Sequence, residues 1–173
     1  MKASITSVWI VCAVASASAF AEGKPPKITS KETGLYPSKA CKTKIAGGEG
    51  QDPVLKCPAM KGFEVEVSFA ATTTQVSITG NGKTTSLSGL VGNKLEWRLA
   101  DGKPFAILVE NAIDDTDEQG DPIARNRRVE VYSVGGTSPM ANVPLPTLKP
   151  ATRKMAWAKA RTLADAIVSP LTK

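Results

Sequence analysis

Residues 94–111 read KLEWRLADGKPFAILVEN, and this stretch decides the fold. Its first part alternates apolar and charged side chains, the period of a strand with one face inward and one toward water. Asp101-Gly102 follows, a dipeptide that favours the tight turn of a β-hairpin. Residues 104–111 are then apolar on both faces, which is typical of a central strand. The stretch predicts an antiparallel hairpin in the middle of a sheet.

The same alternation marks further strands before and after this hairpin. Residues 63–70 place Phe and Val on one face and Glu, Ser and Ala on the other, and residues 75–79 repeat the pattern. Gly80-Asn81-Gly82 then provides a turn that permits positive φ. Residues 128–134 predict one more strand. Together with the chain from residue 54 onward, these segments indicate about six to seven strands.

The C-terminal segment changes to the period of a helix. Pro150 suits an early helical position and Pro170 ends the pattern. Apolar residues recur at spacings of three and four on one face: Trp157, Ala160, Leu163, Ala164 and Ile167. We therefore predict a mainly β fold, an antiparallel curled sheet or small barrel of about six to seven strands, with one C-terminal helix packed on it.

Residues 1–21 have the pattern of a cleavable secretory signal. Lys2 is followed by an apolar run over residues 5–15 and by the small residues that end in Ala19-Phe20-Ala21. We expect export to the periplasm or beyond, a flexible leader over residues 22–40 and one disulfide-stapled domain over residues 41–173. No later stretch has the length and apolarity of a transmembrane helix.

Two cysteines, Cys41 and Cys57, follow the predicted signal. In an oxidising compartment we expect them to form a disulfide that closes a loop of about sixteen residues. Their spacing excludes a C-x-x-C redox pair. A metal thiolate site is the remaining alternative, although the sequence offers no other soft ligand.

The chain has no histidine. This absence excludes histidine-activated nucleophiles, histidine acid–base chemistry and nearly all zinc, copper and haem sites. The net charge is +6, and the basic residues concentrate before residue 63 and after residue 148, around an acidic middle. Basic ends of this kind keep a protein soluble, and they can also attract an anionic envelope component or an acidic envelope or secreted protein. An exported chain with few aromatics is not expected to bind nucleic acid. We predict no cofactor.

An acidic run over residues 114–121 resembles part of a calcium loop. Asp115, Asp117 and Asp121 fall at the first, third and seventh positions of such a loop. Asn126 stands at the twelfth position, where a bidentate Glu is needed, and three arginines lie close by. We therefore expect a solvated hairpin turn and no metal site.

Glu64 and Glu66 are the best candidates for paired-carboxylate chemistry. Residues two apart on one strand face lie roughly 6–7 Å from each other, a separation that suits a hydrolase. The alternation places both on the solvent face, however, away from any apolar pocket that would raise a pKa. A carboxylate-dependent hydrolase stays an alternative, and the prediction is that the protein is not an enzyme.

Residues 94–99, 102–106 and 160–165 together resemble a group of short exported bacterial proteins. Their motifs here are KLEWRL, GKPFA and ARTLAD. The resemblance covers most of the chain from Cys41 onward and implies export without implying an activity. Members of the group carry further cysteines near the C-terminus, which this sequence lacks.

The strand pattern over residues 56–87 is similar to that of the periplasmic inhibitors of C-type lysozyme. That resemblance implies a small β-barrel that inserts a loop into the enzyme's cleft. The family's loop has the motif Ser-Gly-x-Lys/Arg-Tyr, and residues 91–95 here keep Gly92 and Lys94 without the Ser and the Tyr. The sequence thus predicts an exported binding or envelope-interaction protein, with a lysozyme inhibitor as the first alternative.

Overall fold

A computed structural model describes residues 25–48, 52–70, 73–89, 91–116, 119 and 122–168. These residues form ten strands and one helix. Their bounds are β1 Ile28–Gly34, β2 Lys42–Ile45, β3 Val54–Cys57, β4 Phe63–Ala70, β5 Thr73–Gly80, β6 Lys83–Gly89, β7 Lys94–Ala100, β8 Lys103–Thr116, β9 Pro122–Ser133, β10 Ala141–Pro144 and α1 Pro150–Asp165. The predicted signal over residues 1–21 lies outside the described residues.

The strands make two antiparallel sheets. Sheet I has the order β1-β7-β8-β9-β10, and sheet II has the order β2-β3-β4-β5-β6. The predicted class, mainly β and antiparallel with one C-terminal helix, is confirmed. The prediction of one curled sheet or small barrel with six to seven strands is wrong, because the described residues form ten strands in two sheets and neither sheet closes.

The two sheets share an apolar core. Val65, Val67 and Val76 of sheet II are fully buried against Leu95 and Trp97 of sheet I. These are the inward positions of the alternation read from the sequence, so the period of two places one row of each strand between the sheets.

Trp97 is the largest fully buried side chain of this core. Its ring lies 5.2 Å from that of Phe63 across the two sheets. Its indole N–H donates to the hydroxyl of Thr33 at 3.0 Å, so the polar part of the buried ring is also satisfied.

Both predicted tight turns are present. Asn81 and Gly82 have φ of 54° and 71°, and they join β5 to β6. Asp101 and Gly102 have φ of 48° and 78°, and they join β7 to β8. Two successive residues with positive φ give the turn whose twist matches that of a hairpin, which explains the Asn-Gly and Asp-Gly pairs.

Helix α1 covers the other face of sheet I. Ala156, Trp157, Ala160 and Ala164 are buried against apolar residues of β8, β9 and β10. Sheet I is thus covered on both faces, which is why its central strand β8 is apolar on both. The predicted apolar face was too wide, since Leu163 and Ile167 are 39% and 46% exposed. No helix in the described part of the chain has the length and apolarity required to cross a membrane.

Part of the segment assigned to a flexible leader is a strand. Residues 28–34 form β1, which pairs along its whole length with β7. Its side chains are mainly exposed and polar, so no apolar alternation marks it in the sequence. Leu35, directly after it, is only 2% exposed and belongs to the core between the sheets.

Cys41 and Cys57 are bonded, as predicted. The bond ties the segment after β1 to the end of β3, with a sequence separation of 16. We expect Cys41→Ser/Cys57→Ser to lower the free energy of unfolding by about 3 kcal/mol, because the open loop gains chain entropy when unfolded. Urea unfolding measures this change, and reduced wild-type protein should unfold like the double variant. Equal midpoints for oxidised wild type and variant would contradict the expected stabilisation.

Candidate anion-binding pocket

A pocket of about 440 Å³ lies where the start of β7 meets the first three turns of α1. Four cationic side chains and one aromatic ring line it: Lys94, Arg153, Lys154, Arg161 and Trp157. No carboxylate is among the lining residues. A concave site with cationic walls and an aromatic surface has the chemistry to hold an anion.

The first turn of α1 breaks the usual charge rule for a helix start. The helix begins at Pro150, which also lines the pocket, and Lys149 caps it without a side-chain hydrogen bond. The first turn has no acidic residue, although the positive end of the helix dipole favours acids there. Arg153 and Lys154 stand close to this end instead. A local rule broken at a pocket is a signature of a functional site.

Two buried carboxylates hold the two arginines of the pocket in place. Arg161 forms two parallel bonds to Glu96, with nitrogen–oxygen distances of 2.8 and 2.7 Å. Arg153 bonds Glu110, its Nε lying 2.8 Å and its terminal nitrogen 2.7 Å from Oε2. A guanidinium has five N–H donors, so each arginine keeps three for a ligand. The pocket therefore contains fixed donors that need no reorganisation on binding.

The two lysines of the pocket are less constrained. The Lys94 ammonium lies 2.7 Å from a carboxylate oxygen of the exposed Glu32 and 4.7 Å from the centre of the Trp157 ring. Lys154 is exposed and forms no ion pair within the described ranges. These two side chains can therefore turn toward a bound anion at little cost in existing interactions.

Trp157 has an unused donor. The residue is only 5% exposed, and its indole nitrogen has no hydrogen-bond partner among the described residues. A buried N–H without an acceptor costs about 1–3 kcal/mol. The same residue lines the pocket, so its ring forms part of the wall and its N–H reports on that wall.

Behind the pocket, a buried ion network joins sheet I to the end of α1. Glu96 of β7 is fully buried and also accepts a hydrogen bond from Ser30 at 2.5 Å. Arg98, two residues further along the same face, donates to Ser30 and to both carboxylate oxygens of Asp165. The network fixes the position of Arg161, and through it the wall of the pocket.

The environment of Glu96 favours its charged form. Burial alone would raise the pKa of this carboxyl. The hydrogen bonds from Arg161 and Ser30 and the charges of Arg161 and Arg98 outweigh burial, and the pKa lies below its ordinary value. Glu96 is thus ionised and paired at neutral pH.

This lowered pKa makes stability depend on pH. A carboxyl with a lower pKa in the folded state stabilises the fold fully above its unfolded pKa, about 4.3, and loses that contribution as the pH falls through the folded value. We expect the urea midpoint to fall between pH 6 and pH 3 by more in wild type than in Glu96→Gln, which cannot titrate at this position. If the urea midpoints of the two proteins fall equally with pH, the lowered pKa of Glu96 is contradicted.

A third buried carboxylate lies between the sheets. Glu130 is 1% exposed and accepts hydrogen bonds from Arg128, Tyr132 and Asn111, at 2.7, 2.8 and 3.0 Å. Burial and the bond to this carboxylate raise the pKa of the Tyr132 hydroxyl well above its ordinary value. The Asn111 amide also donates to Ser88 of β6, so this group fastens the two sheets to each other.

Gly92 and Lys94, the candidate inhibitory residues, lie in walls of cavities. Gly92 donates its N–H to the Glu110 carbonyl at 2.7 Å, and a Cβ there would approach that carbonyl to 3.1 Å. Lys94 folds back over Trp157. These contacts hold the segment against sheet I and α1, and the inhibitory role of Gly92 and Lys94 stays a prediction.

Glu64 and Glu66, the candidate paired carboxylates, stand on the outer face of sheet II. Each forms an ion pair, Glu64 with Lys56 at 2.5 Å and Glu66 with Lys44. The bond and charge of Lys56 lower the pKa of Glu64. A catalytic acid of a hydrolase needs a raised pKa, and that of Glu64 is lowered instead.

Most of the candidate calcium ligands lie in the segment around residues 115–121, where few residues are described. Asp117 and Asp121 lie outside the described residues, and the structure describes only the backbone of Asp115. The strands on either side, β8 and β9, pair up to Thr116 and Pro122, as a hairpin requires. Asp114 forms two bonds with Arg125, at 2.7 and 3.0 Å. Within the described ranges, no group of three or more potential ligands could hold a metal ion.

Comparison with protein-family models, with curated proteins and with solved structures finds no significant match to this chain. The assignment of the pocket therefore depends on its own geometry and charge.

The sequence reasoning missed Arg153, Lys154, Trp157 and Arg161 as a site. It noted the basic residues after residue 148 and predicted an anionic partner, but it did not assign any residue of the helix to a binding site. A signal was present, because Arg153, Trp157 and Arg161 are four residues apart and share one helix face. The contribution of Lys94, from a strand far away in the chain, had no local signal.

Proposed function

We propose that this protein is an exported, non-enzymatic binding protein of the cell envelope, and that the basic pocket binds an anionic group of its ligand. The observation that carries the proposal is a pocket with four cationic side chains and an aromatic ring in its lining, and no acidic side chain. The secretory pattern of residues 1–21 and the disulfide support the assignment to the envelope.

Phosphate is the anion that fits this donor set best. The two arginines retain three N–H groups each, and the two lysines add further donors. A carboxylate has only two oxygens to receive them, whereas a phosphate presents three or four. Guanidinium groups also match phosphate oxygens in pairs, which gives orientation as well as attraction.

Lys154 tests the proposal without disturbing the fold. Its substitution by alanine removes an exposed cation that stabilises no buried group. We expect Lys154→Ala to weaken the binding of glycerol phosphate about tenfold, since one hydrogen bond to a charged group contributes about 1.5 kcal/mol. Isothermal titration of the exported protein at constant salt measures the dissociation constant.

Lys159→Ala is the matched control. Lys159 is an exposed lysine of the same helix that does not line the pocket. Its removal changes the net charge by the same amount, and we expect affinity to change less than twofold. An equal loss in both variants would mean that general charge attraction, and not the pocket, binds the anion. No heat with either wild type or variants would refute the proposed function.

A further inference from the structure

A second cavity lies at the end of the sandwich, beside the basic pocket. Its volume is about 220 Å³, half that of the basic pocket. Its lining is mainly apolar and extends from the half-exposed Tyr36 to the fully buried Val67 and Val76. Val91 and Phe69 complete the apolar walls, so this cavity connects the surface with the core between the sheets.

Consecutive residues of the chain line the two cavities. Gly92 lines the apolar cavity and Asn93 lines the basic pocket, and consecutive Cα atoms are only about 3.8 Å apart. The Asn93 carbonyl accepts a hydrogen bond from the N–H of Leu35 at 2.8 Å, and Leu35 also lines the apolar cavity. A ligand that crosses this fixed strip of backbone can place one end in each cavity.

We propose that the ligand is an anionic amphiphile with a single acyl chain, whose phosphate lies in the basic pocket and whose chain enters the apolar cavity. The proposal rests on the proposed function, because it assigns the phosphate to the same pocket. The small volume of the apolar cavity accommodates one chain, not two. The pairing of a cationic and an apolar cavity complements the two ends of a lysophospholipid.

Chain length is the variable that tests this inference. The probes are glycerol phosphate and lysophosphatidic acids, which add to it one acyl chain of six, eight or ten carbons, used as monomers below their micellar concentrations. Each buried methylene raises affinity about fourfold, so two carbons are expected to lower the dissociation constant about sixteenfold until the cavity is full. Lysophosphatidylcholine of equal chain length should bind more weakly, since its head group has no net charge.

A variant that fills the apolar cavity distinguishes the contributions of the two cavities to binding. Thr74 is half-buried in the cavity lining, and Thr74→Phe should remove the dependence on chain length while leaving the affinity for glycerol phosphate within twofold of wild type. Thr79→Phe, on the exposed face of the same strand, is the control and should retain the dependence. Val91→Phe fills the same cavity from another segment and replaces Thr74→Phe if that variant does not fold.

The outcomes distinguish the two proposals. Binding of glycerol phosphate with no gain from a chain overturns the amphiphile and leaves the proposed function intact. If affinity still depends on chain length in Thr74→Phe and Val91→Phe, the acyl chain binds elsewhere, and the amphiphile proposal is also overturned. Binding to phosphatidylglycerol vesicles but to no monomeric probe would indicate a membrane-surface protein and overturn it as well. Binding of no probe and no vesicle refutes both.

Discussion

Replacing Glu96 with alanine is expected to lower the free energy of unfolding by about 3–5 kcal/mol. The substitution removes both hydrogen bonds between Arg161 and the fully buried Glu96, and it leaves the mostly buried Arg98 with Asp165 as its carboxylate partner. Breaking a buried ion pair from one side costs about 3–5 kcal/mol. It also opens a cavity on the helix-covered face of sheet I. Urea unfolding followed by circular dichroism measures the change.

Two variants control for the loss of a carboxylate and for the change of shape. Glu64→Ala removes an exposed ion pair on sheet II, and we expect a nearly unchanged midpoint. Glu96→Gln keeps the shape and the Ser30 contact but loses the charge, so its stability should lie between those of wild type and Glu96→Ala. A Glu96→Ala protein as stable as Glu64→Ala would show that the network contributes nothing to the fold.

Removing both lysines of the pocket is expected to weaken the binding of glycerol phosphate about 100-fold. Lys94→Ala/Lys154→Ala takes away two donors, each worth about 1.4 kcal/mol. The lysines are the right pair to remove, because Arg153 and Arg161 also neutralise buried carboxylates and their loss would destabilise the fold. Within the part of the chain that the structure describes, Lys94 forms an ion pair with the exposed Glu32 and lies over the Trp157 ring, and neither contact neutralises a buried charge, so the double variant should fold.

The matched double control is Lys103→Ala/Lys159→Ala. Both residues are exposed lysines that do not line the pocket, and their removal gives the same net charge. Isothermal titration of the two double variants at two salt concentrations compares their affinities. Equal losses of affinity in both variants would contradict binding at the pocket, since only the net charge would then matter.

Local signals predicted the elements of this fold but not its layers. The hairpin of residues 94–111 was predicted because alternation and an Asp-Gly turn act within a few residues. Strand β2 was missed because all four of its residues are exposed and no apolar row marks it. The sequence shows which positions are apolar, but it does not show how many sheets bury them.

Glu96 and Arg98 show most clearly why the site could not be predicted. Alternation assigned both to the solvent face, yet Glu96 is fully buried and Arg98 is 8% exposed. Helix α1 covers this face and brings Arg161 to Glu96 over a separation of 65 residues. The polar face of a strand and the polar face of a helix both resemble solvated surfaces in sequence. Only their contact turns them into a buried ion network with a basic pocket beside it.

The indole N–H of Trp157 is the most direct probe of the central claim that the basic pocket binds an anion. After loss of the predicted signal, the chain contains two tryptophans, Trp97 and Trp157. The Trp97 N–H is bonded to Thr33 inside the core and serves as an internal reference. Two-dimensional ¹H–¹⁵N spectra, with Trp157→Phe to assign the signals, follow both groups during titration with glycerol phosphate at constant ionic strength. We predict a saturable shift of the Trp157 signal and a constant Trp97 signal. If the Trp157 signal does not shift at saturating ligand, or if both signals shift equally, the claim that the basic pocket binds an anion is contradicted.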